Sequence, residues 1–178
     1  RVGVIKSVEE MVKGLDSEKN YNQMKEFLKN NGAEIVPVEI SNLELVLPVY
    51  YIIADAEATS NLARYDGVKY TYRSEEAKNL EEIYKKSRSE GFGMEVKRRI
   101  MLGNYVLSSG FFDAYYNKAR ALQSKLRNEY LKAFENCDVI LMPTTKGEAF
   151  KIGSKSNPID AYKEDIFTVS ANITGLPC

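Results

Sequence analysis

Histidine is absent from all 178 residues of the chain, and that absence excludes whole classes of chemistry. No Ser-His-Asp or Cys-His arrangement can be built from it, and no zinc site with a histidine ligand. Acid–base work falls to Lys, Tyr, Asp or Glu. Cysteine is scarce as well. The two present, Cys137 and Cys178, fit no metal or redox spacing and read as thiols of a reducing, cytoplasmic compartment. A charge surplus is missing too, with Lys+Arg 25 against Asp+Glu 25. A dedicated nucleic-acid binder shows a basic excess, so direct gripping of RNA by this piece is disfavoured. No apolar run reaches the length of a membrane span and no stretch reads as a signal peptide.

What is present is ordinary for a globular protein: 44% hydrophobic and 28% charged residues, on a length that supports one domain with a core. The chain opens on a strand-like run with no initiator Met and stops at Cys178, so both ends read as cuts in a longer chain. No internal repeat or low-complexity linker divides it, and residues 1–178 are expected to form a single domain.

The apolar patterning predicts α/β organisation. Val2–Ile5 is a strand. Ser17 is expected to cap a helix running through Asn30, with Tyr21, Met24 and Phe27–Leu28 as its apolar stripe and Gly32 as its stop. Ala33–Ile40 alternates as a second strand, which Pro37 places at an edge. A strand–helix–strand start is the cue for a parallel pair. Asn42–Arg64 reads as a long apolar helix with Pro48 in its first turns. Ser74–Glu90, capped by Ser74, Glu95–Ser109 and Asp113–Glu135 follow as helices. Asp138–Met142 is a buried-type strand. A loop over 146–158 then leads to a helical turn around Tyr162–Phe167.

Among residues with chemical potential, the helix wheel separates an arginine pair. Val96, Ile100, Gly103 and Leu107 form the stripe that faces the core; Arg99 lies at its border and Arg98 on the opposite face. An arginine on such a rim is desolvated enough to grip a carboxylate with its planar fork. On the residues alone, an internal pair with an Asp or Glu is the stronger reading. Tyr50 and Tyr51 share an apolar helix, and core packing explains either one. Asp165 is placed to cap a short helix. The cluster Lys85, Lys86, Arg88, Lys97, Arg98 is interleaved with Glu81, Glu82, Glu90 and Glu95 and reads as a solvated surface. Gly91-Phe92-Gly93 lacks the glycine spacing of a nucleotide loop and reads as a connector. Asn172-Ile173-Thr174 fits a glycosylation sequon with no other sign of secretion.

Four segments carry a resemblance: EATSNLARYDGVKY, SEGFGMEVKRRIMLG, DVILMPTT and DIFTVSANITGLP. In this order they resemble the C-terminal half of the amidase signature family, in its tRNA-dependent amidotransferase branch. The match is weakest over residues 1–42. The resemblance implies an α/β fold, a mixed sheet flanked by many helices, of which this chain is a fragment truncated at both ends. It implies amide hydrolysis by a Ser-Ser-Lys set whose Gly/Ser-rich core is not found in this sequence, so no catalytic residue is expected here and the fragment alone should be inactive. Members of the branch act as the A subunit of a carbon–nitrogen ligase with glutamine as amido donor. The A subunit releases ammonia for conversion of Glu-tRNA(Gln) to Gln-tRNA(Gln). The B subunit uses ATP and Mg, the C subunit clamps the two, and tRNA reaches the assembly through the holoenzyme. No cofactor or metal is expected on this segment.

By the same resemblance Tyr50, Arg99 and Asp165 hold glutamine, Arg99 on the α-carboxylate and Asp165 on the α-ammonium. Anchors of opposite sign suit a zwitterion held away from its reacting amide. Departures lie close to these positions: Lys146-Gly147-Glu148 interrupts the PTTPTPAF pattern, Ser170 replaces a proline in DIFTVPAN, and Cys178 stands where glycine follows GLP. Two other expectations are another amidase signature hydrolase without a tRNA partner, and a non-catalytic α/β interaction domain.

Overall fold

The computed structural model describes residues 1–154 and 157–178. Part of the loop expected over 146–158, residues 155 and 156, lies outside the described residues. The chain forms two compact units, one from residues 1–50 and 121–178 and the other from residues 51–120.

The first unit is built on three parallel strands, β1 (Val2–Ile5), β2 (Ile35–Val38) and β3 (Val139–Leu141), in the order β2-β1-β3. β1 is buried at every position, as suits a central strand of Val2, Val4 and Ile5 around Gly3, and Val2 pairs with Ile35 on one side and Val139 on the other. Pro37 sits in β2 at the sheet edge, where its missing N–H costs no ladder bond. The α/β class is therefore borne out, and the strands among the described residues are all parallel. β3 departs from the buried-type expectation: Val139 is exposed and its two neighbours are only half-buried. A Cβ on Gly3 would lie 2.7 Å from the buried Cys137 Sγ, so β1 needs glycine there for the chain to pass.

Helices pack around this sheet. α1 (Lys6–Met11) buries Val8, and α2 (Ser17–Asn30) buries Tyr21. Asp16, not Ser17, occupies the N-cap of α2, and Gly32, at φ +89, ends it as expected. Met24 and Phe27 are exposed rather than part of the inner stripe. The inner row runs Tyr21, Lys25, Leu28, with the Lys25 ammonium over the Tyr21 ring, 5.0 Å from its centroid, and donating to Glu9 at 2.6 Å. In α6 (Lys118–Ala133), Leu126, Tyr130 and Ala133 form the buried row. Near the C-terminus come α7 (Pro158–Tyr162), a 3₁₀ turn (Lys163–Phe167) and α8 (Val169–Thr174), which stops at Gly175 with φ +66. Gln123 donates to the carbonyl of Ile173 at 2.7 Å and Arg127 to that of Thr174, satisfying the end of α8. Ser170 is buried within α8, with its hydroxyl 3.9 Å from Met142 Sδ.

The second unit holds most of α3 (Val46–Leu62), α4 (Leu80–Gly91), α5 (Met94–Leu107) and a π-helical turn (Phe112–Asn117). α4 starts later than the expected Ser74, because Asn79 is the better cap: its carboxamide accepts from Glu82 N at 2.9 Å. Ser74 is instead buried and donates to Glu90 at 3.0 Å, while its N–H donates to Ser87 Oγ. Arg88 leaves the basic surface cluster to donate to the carbonyls of Leu62 and Tyr65, both at 2.8 Å, closing the end of α3. Lys85 and Lys86 pair with Glu81 and Glu82 as a solvated surface should. Gly91-Phe92-Gly93 is the connector between α4 and α5.

Candidate functional site

Along α3, Tyr51, Asp55 and Thr59 recur every fourth residue and all three are buried. The spacing lines them on one face, and Gly103 of α5 meets that face. A Cβ on Gly103 would lie 2.1 Å from both the Asp55 carbonyl oxygen and Thr59 Oγ1, so only glycine permits this approach. Thr59 Oγ1 donates to the Ile100 carbonyl at 2.9 Å and ties the two helices at the same level.

One turn before Gly103 on α5 stands Arg99. Glu95 in the first turn suits the positive end of the helix and reaches two arginines. Arg99 Nε donates to Glu95 Oε1 at 3.0 Å, and Arg98 pairs with the other carboxylate oxygen. The Arg99 guanidinium lies 5.2 Å from the Tyr51 ring centroid. With 33% of its side chain exposed, it is desolvated without being sealed off. Burial by itself pulls Arg99 down; the hydrogen bond to Glu95 and the charges of Asp55 and Tyr51 outweigh it and hold the guanidinium above its ordinary range.

Asp55 is the unusual member of the group. Its residue exposure is 1%, and Oδ1 has no hydrogen-bond partner. Burial pushes the carboxyl up to about 6; the Arg99 charge works against that rise and the Glu95 charge adds to it. The result is a guanidinium with a fork suited to carboxylates, next to an internal acid that changes charge near neutrality.

The internal pairing anticipated for Arg99 is present, and its partner is Glu95, four residues back on the same helix. The wheel placed Arg99 on the rim and Arg98 outside correctly. Tyr50 belongs to the first unit and is half-buried, whereas Tyr51 is buried beneath Arg99 in the second. Asp165 belongs to the first unit, in the 3₁₀ turn, where its backbone carbonyl accepts from Thr168 N at 3.0 Å and Thr168 Oγ1 at 3.1 Å. Asp55 was missed in the sequence. The signal was available as an acid at i+4 from Tyr51 and i−4 from Thr59, on the face that those two residues share and Glu57 does not.

The first unit contains a second concavity of about 300 Å³ between the start of α2 and the segment following β3. Ser17 Oγ and Tyr21 Oη are buried there without a hydrogen-bond partner. Its lining residues include no charged side chain, so it lacks the anchors a zwitterion needs.

The Amidase family model matches residues 1–178, and the chain belongs to that family. Among individual proteins, it is 49% identical to the glutamyl-tRNA(Gln) amidotransferase A subunit of Pseudomonas fluorescens, over 99% of this chain and 37% of that protein. The protein of the same name from Thermoanaerobacter pseudethanolicus is 55% identical, over 84% of this chain and 31% of that one. The crystal structure of the glutamyl-tRNA(Gln) amidotransferase A subunit from Thermotoga maritima superimposes with a TM-score of 0.67 at 30% identity, covering 98% of this chain and 33% of that structure. The chain thus spans about a third of the length of these relatives.

Proposed function

We propose that this chain is the glutamine-holding part of the amidase subunit of a tRNA-dependent amidotransferase, one that supplies ammonia for conversion of Glu-tRNA(Gln) to Gln-tRNA(Gln). The reading is carried by the half-buried Arg99, propped between Glu95 and the Tyr51 ring, in a chain that matches proteins of that name along nearly its whole length. Arg99 takes the α-carboxylate of glutamine, Asp165 the α-ammonium, and Tyr50 contributes a hydroxyl to substrate holding. The nucleophile and its Ser-Ser-Lys set belong to the part of the protein outside this sequence, so the segment alone is inactive. It is one portion of a larger amidase domain, working in the cytoplasm with B and C subunits. ATP and Mg are used by the B subunit, and the whole complex acts as a carbon–nitrogen ligase on tRNA.

The test is Arg99→Ala in the full-length protein, complexed with its partners and measured by glutamine hydrolysis. A charge-assisted pair contributes about 1.5–3 kcal/mol, so KM for glutamine should rise roughly 10- to 100-fold. A KM within about twofold of wild type refutes the carboxylate assignment.

A further inference from the structure

If Arg99 receives the substrate's α-carboxylate, as proposed above, that carboxylate enters a place where acids already surround the guanidinium. Glu95 is shared between Arg98 and Arg99. Asp55 stands on the neighbouring helix against Gly103, one turn past Arg99 on α5 and one turn beyond the tyrosine that Arg99 covers. Its Oδ1 is buried and accepts no hydrogen bond, so a charge on that oxygen would leave it without a donor. We propose that Asp55 is a positioning residue for Arg99: when ionised it competes with the substrate carboxylate for the guanidinium, and when protonated it gives way to it.

The charge count explains the competition. With substrate bound and Asp55 ionised, the carboxylates of Glu95, Asp55 and the ligand stand against Arg99 and, through Glu95 alone, the outward Arg98, an excess of one negative charge. With Asp55 protonated the count is even. In a partly desolvated site that excess is costly, because the ligand's carboxylate both adds a like charge near Asp55 and draws on the cation that favours its ionised form. The groups that act on Asp55 from α5 are Arg99 and Glu95, and Tyr51 stands on its own helix. Substrate binding and Asp55 protonation therefore favour each other, and by linkage glutamine affinity falls as pH rises through the titration of Asp55. A purely structural acid would change stability with pH and leave substrate affinity alone.

The experiment is the pH profile of KM for glutamine, from pH 5.5 to 7.5, in the full-length protein with its partners. The upper limit stays below the range in which an α-amino group titrates, about 7.7–8.0. With Asp55 titrating at about 6, its protonated fraction falls roughly 25-fold over that interval, which sets the ceiling on the rise in wild-type KM. A rise of more than about threefold is expected, and Asp55→Asn should hold KM level across the range. If Asp55→Asn does not fold, Asp55→Ser, also uncharged, should give the same level profile. A wild-type KM constant within about twofold, or an uncharged variant whose profile follows the wild type, overturns the proposal. Arg99→Ala separates the two layers of the argument. A normal KM in that variant refutes the carboxylate assignment, whereas an impaired Arg99→Ala beside a level wild-type profile refutes only the role of Asp55.

Discussion

Replacing Gly103 with alanine adds one methyl group at the point where α3 and α5 touch, and the result reads out how close the two helices are. The new Cβ would lie 2.1 Å from the Asp55 carbonyl oxygen and 2.1 Å from Thr59 Oγ1, with the Asp55 carbonyl carbon at 2.7 Å. Two of these atoms are backbone, so a side-chain rotation cannot make room. The helices must separate by on the order of 1 Å, and overpacking of this kind costs about 1–3 kcal/mol. Separation also threatens the 2.9 Å hydrogen bond from Thr59 to the Ile100 carbonyl, a further loss of about 1 kcal/mol. Against this, alanine is favoured over glycine inside a helix by about 1 kcal/mol. The net is a destabilisation of about 1–3 kcal/mol, a fall of roughly 1 M in the urea midpoint for a typical slope. Gly91→Ala is the control, since its Cβ would meet Tyr72 at an ordinary 3.5 Å, and it should change stability by less than about 0.5 kcal/mol. A Gly103→Ala protein as stable as wild type, or more so, would mean that helix propensity outweighs the contact. The close approach, and with it the placement of Asp55 beside Arg99, would then be wrong.

Two further perturbations follow from the same unit. Asp55 is raised from 3.8 to about 6, so the folded state holds its proton more tightly than the unfolded chain does between those values. Stability is lost as pH rises through that window, up to about 3 kcal/mol once the group is charged. Asp55→Asn should therefore raise the denaturation midpoint at pH 7.5 relative to wild type and lose that advantage near pH 4; an advantage of equal size at both pH values contradicts the assignment. Asn79→Ala removes the acceptor for Glu82 N at the start of α4 and should cost about 1 kcal/mol in chemical denaturation, with Asn79→Asp restoring most of it. No loss in the alanine variant would return the cap to Ser74.

The parts of this fold that were legible in the sequence are those where periodicity and burial coincide. β1 is apolar because both of its neighbours are strands, and its bounds match the apolar run. Arg99 on the rim followed from the angle between it and Gly103. Elsewhere local pattern was overruled. α2 reads as a Met/Phe stripe, yet a lysine takes the inner position because its ammonium sits over the Tyr21 ring and pairs with Glu9. Ser74 had a capping residue's chemistry, but the hydroxyl was needed by Glu90 across the unit. The π-helical turn at Phe112–Asn117 broke what looked like one continuous helix, and no residue type announces such a turn. Asp55 escaped notice because an acid two residues from the exposed Glu57 is ordinarily assigned to the wet side as well; its burial depends on Gly103, about fifty positions away, coming close enough to cover it.

The central position of β1 also dictates an order of assembly. Its partners are β2, made soon after it, and β3, which leaves the ribosome only after the whole second unit has been synthesised. Closing the longer loop, roughly fourfold the length of the shorter, costs only about 1 kcal/mol more in chain entropy, so the delay is kinetic rather than thermodynamic. During that interval a two-stranded parallel ribbon stands with one side of β1 unpaired, while residues 51–120 can already form their own local helix contacts. Within this stretch of chain, Val2–Ile5, buried at every position once folded, is thus open to mispairing along one side until Val139 emerges.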